Sequence, residues 1–141
     1  PDAHLKCGLA ILLVEDHEDT AEVMAQLIRG LGHDVTVVGR VADALAATQT
    51  AAFDLVVSDV GLPDGTGLDF ITTFREHSDV PAVALTGFGT DDDVRRCLAA
   101  GFTSHLTKPV NFTQLEQMIE SAASVKAGKA GNADGPGAAS A

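Results

Sequence analysis

Positive charge is scarce in this chain: nine lysines and arginines stand against twenty aspartates and glutamates, a net charge of −11 over 141 residues. Nucleic acid and anionic membranes both require a cationic footprint, so neither is expected as a direct partner. Proteins and cations are the partners left. Long apolar runs are missing too: no stretch approaches the roughly 20 residues that cross a bilayer. Nor does a basic start followed by an apolar region mark an export signal. The expectation is a soluble, cytoplasmic protein, free or tethered within a larger chain. Cysteine is sparse, and Cys7 and Cys97 lie far apart and outside any metal-ligand spacing, which reads as reduced thiols. His4 and Cys7 have a ligand-like gap, but two ligands do not close a zinc site. There is no internal repeat.

What is present is one domain's worth of chain with 45% apolar residues, enough to bury a core. Residues 9–14 are a continuous apolar run, and residues 18–31 then place Ala21, Met24, Leu27, Ile28 and Leu31 on one helical face. The same alternation continues with strands at 34–38, 55–58, 82–85 and 104–107 and helices at 41–51, 68–76, 91–100 and 113–125. Gly61, Pro63, Gly65 and Gly67 mark a loop. Five strand-helix units imply an α/β domain with a parallel sheet and helices on both faces. Residues 1–8 read as a lead or linker, 9–125 as the domain, and 126–141 as a disordered tail without periodicity.

Four polar sites end four of the apolar runs: Glu15 with Asp16, Asp59, Thr86, and Lys108 followed by Pro109. Parallel sheets bind ligands beyond the carboxyl ends of their strands, which is where each of these residues falls. Glu15, Asp16 and Asp59 bring three carboxylates into one cleft, and Lys108 returns one positive charge. The remaining −2 is what a single Mg²⁺ neutralises, and Mg²⁺ favours one or two carboxylates with water and phosphate over a full protein cage. A carboxylate held in line can attack phosphorus and form an acyl phosphate, which makes Asp59 the candidate nucleophile. Mg²⁺ and Lys108 would screen the transferring oxygens, and the Thr86 hydroxyl would donate to one of them.

On these residues the chain, from residue 11 to about 125, resembles the receiver domain of bacterial two-component response regulators. The resemblance implies a flavodoxin-like sheet in the order 2-1-3-4-5 with five helices. It implies that Glu15 and Asp16 support Mg²⁺, with Asp16 a direct ligand, and that the backbone carbonyl of Gly61 is another. It makes Asp59 the acceptor of phosphate from a histidine kinase or histidine phosphotransfer protein. Leu62 and Pro63 match the apolar-proline pair that follows, and Lys108 with Pro109 the lysine-proline pair, whose peptide bond is expected to be cis. It implies a switch in which Thr86 swings toward the phosphoryl group and residue 105 moves inward behind it, with output through the 91–125 face. The usual aromatic residue at 105 is replaced by His105, so switching is expected to depend on pH near neutrality. Gly61 and Phe88 lack side chains that orient water for dephosphorylation. Such a domain promotes its own phosphorylation and dephosphorylation but is not an enzyme in isolation.

Plainer roles account for other polar residues. Asp91, Asp92 and Asp93 meet the dipole at a helix start, and His17, His33 and His77 read as solvated. Competing readings are weaker. A Mg²⁺-dependent aspartyl phosphatase would have a second acid where Gly61 stands, and a flavin-binding protein would not place Glu15 and Asp16 where phosphate must sit. A degenerate receiver acting only as a protein-binding module is at odds with the full set of strand-end residues. The surroundings of Asp59 and of Lys108 look most like receivers attached to hybrid sensor histidine kinases, and a C-terminal receiver of that kind is the expected context.

Overall fold

The computed structural model describes residues 8–87 and 90–132. His4, Cys7, Phe88 and the last part of the expected tail lie outside the described residues. The elements are β1 (Ala10–Val14), α1 (Glu18–Gly30), β2 (Asp34–Val38), α2 (Val41–Thr50), β3 (Leu55–Asp59), β4 (Gly61–Leu62), β5 (Gly65–Thr66), α3 (Gly67–Phe74), β6 (Ala82–Thr86), α4 (Asp91–Ala100), β7 (Ser104–Thr107) and α5 (Phe112–Asn132). Five strands pair in parallel in the order β2-β1-β3-β6-β7. Counted along the main sheet alone, that is the flavodoxin-like order 2-1-3-4-5, with five helices.

The period of two along each strand divides the core into two layers. Ile11, Leu13, Leu55, Val57, Val83 and Leu85 face α1 and α5, where Met24, Ile28, Leu115 and Ile119 are buried. Leu12, Val14, Val56, Ala82 and Ala84 face α2, α3 and α4. The small side chains of Ala82 and Ala84 leave room on that face for Phe70, Phe74 and Phe102, each buried and contributing about 1.5–3 kcal/mol by removal from water. Phe70 and Phe74 stack with ring centroids 5.6 Å apart.

Three features differ from the sequence expectation. The loop after β3 contains a short antiparallel hairpin, Gly61 pairing with Thr66 and Leu62 with Gly65. Asp64 at its tip accepts hydrogen bonds from the backbone N–H groups of Val41 and Ala42 at 2.7 and 3.1 Å, tying the hairpin to the start of α2. The last helix does not stop at 125 but runs to Asn132, so the first part of the expected disordered tail is helical. Extending a packed helix needs no new nucleus, and Lys126, Ala127, Lys129 and Ala130 are good helix formers. His33 is half-buried rather than solvated: its Nδ1 accepts the Leu9 N–H at 3.0 Å, and burial lowers its pKa.

The register lines up the strand ends. Val14 lies beside Ser58, Asp59 beside Leu85, and Thr86 beside Thr107. Glu15 and Lys108, each one residue past its strand, therefore arrive level with Asp59 and Thr86.

Candidate functional site

Glu15 extends β1 by donating its N–H to the Val38 carbonyl at 2.9 Å, and Lys108 extends β7 by donating to the Thr86 carbonyl at 2.7 Å. These bonds point the Glu15 and Lys108 side chains over the end of the sheet. Glu15, Asp59 and Thr86 are all buried, while Asp16 is exposed at the rim. Lys108 Nζ donates to Asp59 Oδ2 at 2.6 Å and to Glu15 Oε1 at 3.1 Å. The Gly61 N–H donates to Asp59 Oδ1 at 3.3 Å, and the Lys108–Pro109 bond is cis, as the resemblance implies. Asp59, Gly61, Thr86 and Lys108 line one cavity of about 410 Å³, walled by Leu68, Arg96 and Cys97.

Gly67, the first residue of α3, fixes how closely this helix approaches the acid-bearing strand. Its N–H donates to the Val60 carbonyl at 2.7 Å, and an added Cβ would fall 2.3 Å from the Asp59 carbonyl oxygen. Only glycine permits that approach.

The charged groups perturb one another in definite directions. Burial pushes the Asp59 carboxyl up, and the Glu15 charge adds to this, outweighing Lys108. Burial opposes the charge on Glu15 as well, but hydrogen bonds from the His17 backbone N–H, the His17 ring and Lys108 prevail and hold its carboxyl below the ordinary range. Burial works against the Lys108 ammonium too, yet its bonds to Asp59 and Glu15 raise it above its usual value. An ionised Asp59 therefore carries a cost that a cation would relieve.

His17 is the residue that sequence reasoning missed. It is exposed, as expected, but it is not merely solvated. Its Nδ1 lies 3.1 Å from Glu15 Oε2 and 3.4 Å from Asp16 Oδ1, and the hydrogen bond to Glu15, followed by the Asp16 charge, raises its pKa. Donor atoms of Glu15, Asp16, His17 and Asp59 all lie within 4.8 Å of one another. A protonated His17 brings the group of three carboxylates and one ammonium from −2 to −1. The only sequence signal was its place directly after the acid pair. The oxygen-rich donor set is of the hard kind that Mg²⁺ takes. His105 is not in this cleft. It is half-buried on β7, beside Ala84, and lines a separate hollow with Thr107, Pro109, Gln114 and Met118.

A family model described as the response regulator receiver domain matches residues 11–120. An uncharacterized 14.6 kDa protein of Leptolyngbya boryana is 33% identical over 113 residues, covering 78% of this chain and 86% of that protein. A probable histidine kinase of Oryza sativa subsp. indica is 28% identical over 144 residues, covering 78% of this chain and 15% of the kinase. Among solved structures, the receiver domain of a sensor histidine kinase from Pseudomonas aeruginosa, with a magnesium ion coordinated in its active site cleft, is 29% identical. It superposes with a TM-score of 0.76 over 83% of this chain and 98% of that one.

Proposed function

This chain belongs to the response regulator receiver domain family of two-component signalling, and we propose from that premise that Asp59 is its phosphoacceptor. The phosphoryl donor is a phosphohistidine on a histidine kinase or a histidine phosphotransfer protein. The observation that carries this reading is the single Lys108 ammonium shared by Asp59 and Glu15, inside a group of donors spaced for a divalent ion.

In the transfer, an Asp59 carboxylate oxygen forms the new O–P bond as the N–P bond of phosphohistidine breaks, and the imidazole leaves as the neutral base after taking up a proton. Glu15, Asp16, Asp59 and the Gly61 carbonyl would hold Mg²⁺, which would supply charge neutralisation for the phosphoryl oxygens. Lys108 is already at the acceptor carboxylate, where it offsets charge on the transferring group. The Gly61 N–H steadies the second carboxylate oxygen. Thr86, buried on the cavity wall, donates its hydroxyl to a phosphoryl oxygen. Pro109, joined to Lys108 by the cis peptide bond, has a structural rather than a chemical part.

The switch proposed with it joins Thr86 to His105, two residues apart in register across β6 and β7. Output then passes to a protein partner through the 91–125 face, formed by α4, β7 and α5, where Leu98 is exposed. Among the described residues no helix is long and apolar enough to cross a membrane. The rice and Pseudomonas relatives are a histidine kinase and the receiver of one, which supports a place for this chain within a larger sensor kinase.

Beryllofluoride or acetyl phosphate with Mg²⁺ tests the reading by intact mass and by amide chemical shifts. Mg²⁺-dependent modification is expected on the wild-type chain and not on Asp59→Asn. Its absence from the wild type would leave a protein-binding module.

A further inference from the structure

Glu15 is held at both carboxylate oxygens: Lys108 takes Oε1, and His17 takes Oε2 with both its backbone N–H and its ring Nδ1, each at 3.1 Å. The same Nδ1 stands 3.4 Å from Asp16 Oδ1. Two ligand atoms on adjacent corners of an octahedron with bonds of about 2.1 Å are about 3.0 Å apart. The separations around His17 are therefore close to the edges of a coordination polyhedron. The ring is 71% exposed, and it is its contacts with Glu15 and Asp16 that turn Nδ1 toward the cleft. His17 is one of the four residues whose donor atoms converge within 4.8 Å.

We propose that His17 is a nitrogen ligand of the divalent-cation site through Nδ1, which releases to solvent the proton it shares with Glu15 as the ion binds. With this ligand, the cleft favours borderline ions of the Co²⁺ and Ni²⁺ class over Mg²⁺ much more strongly than its carboxylates alone do. Mg²⁺ is a hard ion that prefers oxygen and retains water, so it gains little from an imidazole, whereas the later transition ions gain a strong bond. His17 thus sets which cation the cleft selects without being required for Mg²⁺ itself. The inference rests on Glu15, Asp16 and Asp59 being the cation site of the proposed phosphoacceptor.

Co²⁺ is the probe, because its visible absorption reports coordination directly. The untagged chain, His17→Ala and Asp59→Asn are titrated with Co²⁺, and with Mg²⁺ in competition. The expected result is that His17→Ala weakens Co²⁺ binding by about tenfold or more and changes the visible band, while Mg²⁺ affinity changes several-fold less than Co²⁺ affinity. Asp59→Asn is expected to weaken both ions, placing the Co²⁺ in this cleft. An unchanged Co²⁺ affinity and band in His17→Ala overturns the proposal, as does an equal loss for both ions. Beryllofluoride modification of Asp59 with Mg²⁺ is measured on the same samples. Modification that persists while His17→Ala leaves Co²⁺ unaltered refutes the nitrogen ligand alone. Tight, His17-dependent Co²⁺ binding without any modification upholds the ligand and refutes the phosphoacceptor.

Discussion

Lys108 and Glu15 stand 93 residues apart in sequence and meet at 3.1 Å, with Asp59 on the same ammonium at 2.6 Å. One cation therefore holds the ends of β1 and β3 together against the repulsion of their carboxylates. Lys108→Ala is expected to destabilise the fold by about 1–3 kcal/mol, less than a fully buried pair because the lysine is partly exposed. Without its ammonium the repulsion remains for a divalent ion to relieve. Millimolar Mg²⁺ should consequently raise the Tm of Lys108→Ala by more than that of the wild type. Equal increments in thermal melts would show that Lys108 does not offset these carboxylates.

Asp59 gives a pH-dependent outcome. Its folded pKa is raised above the ordinary 3.8 by burial and then by Glu15. A group raised on folding contributes stability below its unfolded pKa and loses it as pH rises through the folded value. The ionised carboxylate is thus a liability at neutral pH. Asp59→Asn, uncharged throughout, should melt a few degrees higher at pH 7.5 without divalent ions, about the shift that 1 kcal/mol produces in a domain of this size. The gap should close as pH falls toward 4. A lower Tm for the variant at pH 7.5 would contradict the raised pKa.

The sheet was legible because its strands are uninterrupted apolar runs, such as Leu55, Val56 and Val57, and because α1 repeats its apolar face through Ala21, Met24 and Ile28. The strand-end acids were legible because polar residues that close such runs have one place to go. The hairpin of β4 and β5 was not, since two-residue strands have no period and their glycines signal only a turn. The last turns of α5 were hidden by an Ala, Gly and Lys composition that also describes linkers. His17 was hidden because its neighbours in sequence are charged, and only the inward turn of Glu15 reveals what its ring meets.

Asp64 ties the hairpin to α2, and its carboxyl lies below the ordinary range because it accepts the Val41 and then the Ala42 N–H. A depressed folded pKa contributes stability above the unfolded value near 3.8 and loses it as pH falls through the folded one. Asp64→Ala should therefore lower Tm at pH 7 and make progressively less difference as pH falls below 3.8. Hydrogen exchange should quicken at the first amides of α2, where the cap is lost. Unaltered exchange at Val41 and Ala42 would refute the tie.

Gly67 is a demanding position because what surrounds it is backbone. A Cβ there would lie 2.3 Å from the Asp59 carbonyl oxygen and 3.1 Å from the Val60 Cα, and no side-chain rotation relieves either contact. Gly67→Ala must push α3 away from the end of β3, lengthening the 2.7 Å bond from the Gly67 N–H to Val60. Overpacking of this kind costs about 1–3 kcal/mol, more than the gain of up to about 1 kcal/mol from replacing glycine in a helix. The displacement falls on the residues that carry Asp59 and the Gly61 N–H. Gly67→Ala is thus expected to lose Mg²⁺ affinity together with stability, whereas Thr72→Ala, exposed further along the same helix, should lose no Mg²⁺ affinity. Thermal melts and Mg²⁺ titrations of the two variants separate these outcomes, and a Gly67→Ala protein with wild-type stability and Mg²⁺ binding would show that α3 does not set the position of Asp59.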